Sequence, residues 1–308
     1  MKYGFLNIHK PVGPTSHDMV AKIRRLSGVR QTGHAGTLDP MAKGVLIVAI
    51  GAATKLIEYL AHDHKSYTAH IRLGITTNTY DADGTVIAER PLPPELDRNA
   101  LERIVSQFVG DLSQIPPPHS AVKVEGKRAY TRARAGEVFQ LRPRQIHIYH
   151  ILITRFESPL ITLDIECSTG TYIRSLAHDL GTIIGCGATL IGLVRTQCGD
   201  FHLSQSLLDS ELGVFFARDD WGQMLISPAS ALRSMPFQRV TDSDVIRLRQ
   251  GQTIELDVND ISSAMLAYAA SGDLVAVLRL GKQPGVWRPE KVFPTSQSCA
   301  SEQSLAKR

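Results

Sequence analysis

Three side chains in this sequence of 308 residues invite a chemical reading before any element is drawn: Asp39, Tyr67 and Arg174. Asp39 sits in Gly33-His34-Ala35-Gly36-Thr37-Leu38-Asp39-Pro40. The glycines let that backbone take positive φ and approach a ligand closely, and Pro40 pushes Asp39 toward extended geometry. One carboxylate without an acidic partner argues against glycosidase chemistry of the usual paired kind. Close to an arginine it would stay ionised, because opposite charge lowers a carboxyl pKa. That suits a nucleophile or a base. Arg174 falls in the first turn of a predicted helix, the end that disfavours cations, and so suits an anionic partner. Plainer readings stand beside these: an ordinary turn at 33–40, a core tyrosine, a surface ion pair, and a satisfied turn histidine at His34.

Other chemistry finds little support. The chain has no Walker loop, HExxH, GxSxG or CxxC. His62-Asp63-His64 has no third ligand, and Gly185-Cys186-Gly187 lacks the dinucleotide spacing. Asp81-Ala82-Asp83-Gly84 departs from the EF-hand pattern and reads as a hairpin turn. Cys167, Cys186, Cys198 and Cys299 lie far apart and read as reduced, mostly buried thiols. Hydrophobic content of 43% with 21% charged residues is ordinary for a globular protein. No apolar run approaches a membrane span and no signal-peptide layout opens the chain, so a cytoplasmic location is expected.

The net charge of +4 matters less than its placement. Lys123, Lys127, Arg128, Arg132, Arg134, Arg142 and Arg144 face only Glu125 and Glu137 across one segment. Lys22, Arg24, Arg25 and Arg30 precede the glycine-rich stretch. Basic patches on either side of such a loop fit a polyanionic partner.

The elements that must position these residues can be read in order. Residues 3–8 suit a strand, and Lys10 to Pro14 a rigid turn. Thr15 or Ser16 can cap a helix bearing Met19, Val20, Ile23 and Leu26, which Gly28 ends. Val45 to Ile50 suits a buried strand, and Ala52 to Ala61 a helix. Ser66 to Leu73 alternates with Tyr67, Ala69, Ile71 and Leu73 on one face. Asn99 to Phe108 is an amphipathic helix. Ile115-Pro116-Pro117-Pro118-His119-Ser120 breaks regular structure and opens the basic segment, a candidate for an arm that orders on a ligand. Residues 161–167 alternate, and Ser168-Thr169-Gly170-Thr171 is expected to cap a helix from Tyr172 to Ile184. Beyond Pro228 short β-like runs appear, at 237–240, 253–256, 265–268 and 274–280, and a small β-rich domain fits residues 235–293. The tail, 294–308, is expected to be disordered.

Blocks of this sequence resemble, in order, the bacterial TruB-type tRNA pseudouridine synthases. They are Leu6-Asn7-Ile8-His9-Lys10-Pro11 with Gly13 and Thr15-Ser16; Gly33 to Pro40 with Gly44-Val45-Leu46; Lys65-Ser66-Tyr67; and Arg72-Leu73-Gly74 through Asp81 and Gly84. Pro117-Pro118, Ser120 to Lys123 and Gly126 to Tyr130 follow, then Cys167 to Leu176, and Leu193 to Thr196 with Gly199 and Phe201. The match covers roughly residues 3–230, and its strength is the ordered set. Departures are His9 where Asp is common, Lys43 where Thr is common, His119 in place of Tyr, and Val194 within the LRR motif.

The resemblance implies an α+β pseudouridine synthase fold: a mixed, largely antiparallel sheet flanked by helices, with a small β-rich PUA-like C-terminal domain. It implies a catalytic domain over 1–234, an RNA-clamping arm at about 117–145, and the PUA-like unit over 235–293. It implies isomerisation of uridine in the T-loop of tRNA (position 55) by base flipping, without cofactor, metal or guide RNA, by an expected monomer. Asp39 would be the catalytic acid residue and Arg174 its orienting partner. Tyr67 would stack on the flipped base and assist proton removal. His34 would fill the gap the base leaves, Leu193 would line the pocket, and Lys10 and Pro11 would support the loop. Lys123, Arg128, Arg132, Arg134 and Arg142 would hold RNA. A non-catalytic RNA-binding or tRNA-folding protein on the same fold is the competing reading.

Overall fold

The computed structural model describes residues 3–60, 64–124, 126–258 and 264–294. Strand β1 (Gly4–Lys10) leads to helix α1 (Ser16–Ser27). Thr15 and Asp18 form the capping box at its start: Asp18 N–H donates to Thr15 Oγ1 at 3.1 Å, and Thr15 N–H to Asp18 Oδ2 at 2.9 Å. Gly28, left-handed at φ 69°, closes it. The first half of the glycine-rich stretch is a strand, β2 (Thr32–Ala35), antiparallel to β3 (Ala42–Ile50). Only its second half is the expected loop. A single helix over 52–61 is not formed. Gly51–Leu56 is a 3₁₀ segment, in which Thr54 Oγ1 donates back to Gly51 O at 2.9 Å, and only Ile57–Leu60 (α2) is α-helical. Ala61 lies outside the described residues.

Strand β4 (Lys65–Leu73) alternates as its pattern requires, and β5 (Ile75–Thr77) and β6 (Val86–Glu89) form a hairpin around Asp81. Asp97 caps α3 (Arg98–Val105), whose expected extension to Phe108 becomes a 3₁₀ turn before β7 (Gly110–Gln114). The basic arm holds a hairpin, β8 (Lys123–Val124) with β9 (Lys127–Arg128), then α4 (Ala129–Arg134). Strands β10 (Arg144–Glu157) and β11 (Leu160–Cys167) pair antiparallel and feed α5 (Ile173–Ile184). The expected Ser/Thr cap of α5 is not made. Thr171 Oγ1 donates to Ser168 O at 2.9 Å, and Ser168 Oγ accepts from His147 N–H at 2.8 Å, so neither hydroxyl reaches the helix. Next come β12 (Ala188–Cys198), β13 (Phe201–His202), β14 (Leu207–Leu208), α6 (Leu212–Ala217) and α7 (Pro228–Ala231).

The main sheet runs β14-β1-β3-β12-β4-β11-β10-β7, with β2 on β3 and β13 on β12. Its pairs are antiparallel except β1/β14 and β3/β12. From Val45 to Ile50 strand β3 is apolar because both its faces are covered there. Leu46, Val48 and Ile50 join the core beneath α1, α3 and α5, whereas Val45, Ile47 and Ala49 join a second cluster on the opposite face.

That second cluster contains residues of the C-terminal sheet: Leu266, Tyr268, Leu274, Val277 and Phe293 pack with Phe5, Val45, Ile47 and Leu56. The C-terminal unit comprises β15 (Phe237–Arg239), α8 (Asp242–Arg249), β16 (Ile254–Glu255), β17 (Met265–Tyr268), β18 (Leu274–Leu280) and β19 (Val286–Val292). Its sheet runs β15-β17-β18-β19-β16 around a core holding Leu248, Met265, Val275 and Trp287. Helix α8 joins the strands of this β-rich stretch, an element that the short apolar runs did not mark. Its signal was a second capping box, Thr241 with Asp244. Strand β19 was missed too. Pro294 is described, and 295–308 lie outside the described residues.

Candidate active site

Asp39 lies on a backbone gripped from every neighbouring element. Buried Arg195, from β12, donates to Val45 O at 2.7 Å, Gly36 O at 3.0 Å and Thr37 O at 3.4 Å. Ser16, the first residue of α1, donates through Oγ to Leu38 O at 3.1 Å and accepts from Leu38 N–H at 2.8 Å. Lys10, fully buried at the end of β1, spans Pro11 O at 2.8 Å, Pro14 O at 2.7 Å and Pro40 O at 3.4 Å. Gly13 N–H adds a bond to Pro40 O at 2.9 Å, and Ala42 N–H one to Asp39 O at 3.1 Å. Burial lowers the Lys10 pKa to about 8, with the Asp39 charge pulling it back up. Gly44 cannot be replaced simply: its φ is 110°, and an added Cβ would overlap the Arg195 backbone beside it.

Arg174 brings the charge that the sequence lacked near Asp39. Its Nε is 3.0 Å from Asp39 Oδ2, within ion-pair range, yet that N–H makes no directed hydrogen bond. Its other arms are committed. Nη1 reaches Asp81 Oδ2 at 3.0 Å and Thr79 O at 3.4 Å, and Nη2 reaches His119 O at 3.1 Å. The guanidinium therefore lies between two carboxylates, one partly open (Asp39, side chain 36% exposed) and one buried (Asp81, 6%).

Asp81 was missed as a site residue, since a DxDG turn looks self-sufficient. Its Oδ1 does accept from Thr79 Oγ1 at 2.5 Å and from Asp83 N–H at 3.2 Å. What the turn hides is burial, and a buried carboxylate requires a cation. Tyr80 before it is held left-handed at φ 64°, its ring stacked on His178 of α5 at 3.8 Å and 9°. Arg174 and His178, one turn apart on α5, thus hold Asp81 and the tyrosine before it.

The electrostatics revise one expectation. Arg174 does pull the Asp39 carboxyl toward ionisation, but burial is the larger influence, and Asp81 adds to it, so the pKa moves above the ordinary aspartate value. Tyr67, buried on β4 with Arg195 opposite it on β12, is pushed up to about 12, chiefly by burial. It is a neutral phenol at physiological pH. His34, half-buried on β2, has a lowered pKa from burial and from Arg195. Its Nδ1 is buried without a hydrogen-bond partner, so it is not the satisfied turn histidine. Leu193 is buried in the main core opposite Ala42 and Ala69.

Three of the arm's cations lie against its own aromatic rings. Arg128 and Arg134 lie over the Tyr130 ring at 5.9 and 5.8 Å. Arg132 lies over Phe139 at 5.5 Å and pairs with Glu137 at 2.7 Å. Lys123, Arg132, Arg142 and Arg144 line a cavity of about 620 Å³ with Phe139. Among the described residues no cluster of His, Cys, Asp and Glu is placed to hold a metal ion. His62 and Asp63 lie outside the described residues. No described helix is long and apolar enough to cross a membrane.

A carboxylate on a rigid loop and an arginine bridging it to a buried acid suit acid–base or nucleophilic chemistry on a mixed α+β sheet, and the buried Tyr67 is linked to that loop through Arg195, which lies opposite it and holds the loop's carbonyls. Residues 24–173 match the N-terminal domain of the TruB family of pseudouridylate synthases. Over 94% of this chain and 96% of the relative, 41% of residues are identical to a tRNA pseudouridine synthase B of Dehalococcoides mccartyi. A relative of the same name in Thermobifida fusca is 42% identical over 96% of this chain and its own full length. The fold is similar to a chain of a Cbf5-Nop10-Gar1 complex, at 26% identity and TM-score 0.73 over 95% of this chain and 85% of that one. It is also similar to a chain of an H/ACA ribonucleoprotein bound to a substrate RNA containing 2'-deoxyuridine, at 24% identity and TM-score 0.71 over 96% and 86%. The chain belongs to the TruB family of pseudouridylate synthases. It is an isomerase with the pseudouridine synthase fold and a PUA-like C-terminal β unit.

Proposed function

We propose that this chain isomerises uridine to pseudouridine in tRNA, at the T-loop uridine (position 55), with Asp39 as the catalytic residue. The observation that carries the reading is the pairing of Asp39 with Arg174 on a loop whose adjoining carbonyls are all held. In the reaction the C1′–N1 bond breaks, the base turns, and C5 bonds to C1′. C5 then loses its proton and N1 gains one. A carboxylate here is competent to add to C1′ or to take a proton from C2′, and either role needs it ionised. Arg174 opposes the upward push of burial for that purpose.

The uridine must leave its stack, at a cost of about a few kcal/mol that protein contacts offset. Tyr67 offers the flipped base a ring, and its hydroxyl carries its proton at neutral pH. This makes it a hydrogen-bonding phenol rather than a ready base for the C5 proton. His34, neutral and with an unused Nδ1, fills the vacated position. Leu193 lines the pocket, while Lys10 and Pro11 support the loop. Lys123, Arg128, Arg132, Arg134 and Arg142 hold RNA phosphates, residues 1–234 form the catalytic unit, and 235–293 form the second RNA-binding unit. The enzyme acts in the cytoplasm as a monomer without guide RNA, metal or cofactor.

The test is a T-arm stem-loop incubated with wild type and Asp39→Asn, with pseudouridine read as carbodiimide-induced reverse-transcriptase stops. Wild type modifies the RNA, and Asp39→Asn loses on the order of a thousandfold or more in kcat while binding RNA normally. Turnover by Asp39→Asn above a few per cent of wild type removes Asp39 from the chemistry. RNA binding without any product from wild type would establish the non-catalytic reading instead.

A further inference from the structure

We propose that Gln114 is a positioning residue for the isomerisation: it fastens the first turn of α5, and with it Arg174, to the root of the basic arm, so that RNA seated on the arm sets the Arg174–Asp39 pair. The second half of the proposal rests on the reading of the arm as an RNA-binding element.

Gln114 ends β7 and is buried. Its amide is spent entirely on α5: Oε1 accepts from Tyr172 N–H at 2.8 Å, and Nε2 donates to Tyr172 O at 3.1 Å. Tyr172 is the N-cap of α5 and caps nothing with its own side chain. Helix starts leave N–H groups unsatisfied, and a Ser, Thr, Asp or Asn usually answers one of them locally. Here the answer comes from another strand. Two further bonds tie the same turn to the same segment: Ser175 Oγ donates to Ile115 O at 2.7 Å, and Arg174 Nη2 donates to His119 O at 3.1 Å. Residues 172, 174 and 175 are thus stitched to 114, 115 and 119.

Between those anchors stands Pro116-Pro117-Pro118, with Pro116 and Pro117 buried. Proline fixes φ, so this linker transmits a displacement instead of absorbing it. On its far side Ser120 O accepts from Tyr130 N–H at 3.0 Å, and Val122 O from Ala129 N–H at 2.7 Å, which joins the linker to the start of α4. A continuous line of hydrogen bonds and stiff backbone therefore runs from α4 to Arg174. At its end lies a contact poised to respond, because Arg174 Nε is within 3.0 Å of Asp39 Oδ2 without hydrogen-bond geometry. A small rotation completes that bond.

The experiment compares Gln114→Ala and Gln114→Glu with wild type, using full-length tRNA, and measures RNA affinity, kcat, KM and the pH dependence of kcat. Gln114→Ala should keep RNA affinity within about twofold and lose roughly ten- to hundredfold in kcat. The acid limb of its kcat profile should move to higher pH, since a loosened Arg174 opposes the burial of Asp39 less. Gln114→Glu keeps the acceptor for Tyr172 N–H and should recover part of the loss. If Gln114→Ala only lowers the melting temperature and the active fraction, leaving kcat per folded molecule and the pH profile unmoved, the positioning role is wrong. For the link to the arm, Arg132, Arg134 and Arg142 are changed to Ala together. Their effect on kcat should vanish in the Gln114→Ala background, and effects that multiply independently sink the coupling. Should the triple change leave RNA affinity and its salt dependence intact, the arm reading fails while the pH shift of Gln114→Ala still decides the positioning role.

Discussion

The loop 36–40 and the arm 117–145 are held in opposite ways. Around Asp39 the adjoining carbonyls meet donors from several elements: Arg195 of β12, Ser16 of α1, Lys10 at the end of β1 and Gly13 in the turn after it. Along the arm Arg128 and Arg134 lie over its own tyrosine, and Arg132 lies over its phenylalanine and pairs with its glutamate. A reacting carboxylate, the role proposed for Asp39, loses rate when displaced by even about 1 Å, and the backbone of its loop is over-determined. Phosphate contacts, the role proposed for the arm, supply electrostatic attraction without sequence information. The loop is held by donors from outside it, whereas Arg128, Arg132 and Arg134 have aromatic or acidic partners in the arm itself.

That contrast can be broken most severely at Arg174. Its side chain and that of Asp81 are both almost wholly buried, and removing one partner of such a pair costs about 3–5 kcal/mol. Arg174→Ala should therefore lower stability by that order in urea unfolding. Among molecules that remain folded, Asp39 loses the influence that lowered its pKa. Its carboxylate is then protonated at a higher pH, and the acid limb of activity moves upward. An unshifted limb would mean that Arg174 is a structural strut alone.

A smaller break is Ser16→Ala. It removes two hydrogen bonds to Leu38 in a buried place, which costs about 1–3 kcal/mol. If the loop is as over-determined as its contacts suggest, kcat should fall several-fold to about tenfold while RNA affinity is unchanged. A loss confined to KM would show that Ser16 serves binding.

The arm should respond least in chemistry and most in salt dependence. Neutralising Arg132, Arg134 and Arg142 should weaken tRNA binding and flatten its slope against salt, by about one for each phosphate no longer neutralised. An unchanged slope leaves the arm without its proposed role.

The two regions also differ in how far they could be read from sequence. The arm's character is compositional, a run of cations with scattered aromatics, and was plain at once. The elements around Asp39 were legible where local rules act: the capping box at Thr15, Gly28 at the end of α1, and the alternation of β4. Local rules also misled. Ser168 and Thr171 have the composition of a cap, yet Gln114 does the capping from a distant strand. Thr241 and Asp244 carried a capping box that the short apolar runs around them obscured.

By itself the sequence determined the alternating and amphipathic faces, the turn glycines, the basic arm and the set of motifs that mark the family. These depend on residues within a few positions of one another, where backbone geometry allows little choice. Only the tertiary structure decided that Asp81 is buried against Arg174, that Arg195 and Ser16 hold the loop, and that Asp39 is pushed above the usual aspartate pKa. Burial and charge pairing are set by neighbours far away in the chain. Arg174 lies 93 positions from Asp81, and a hydrogen bond between them has no local signature.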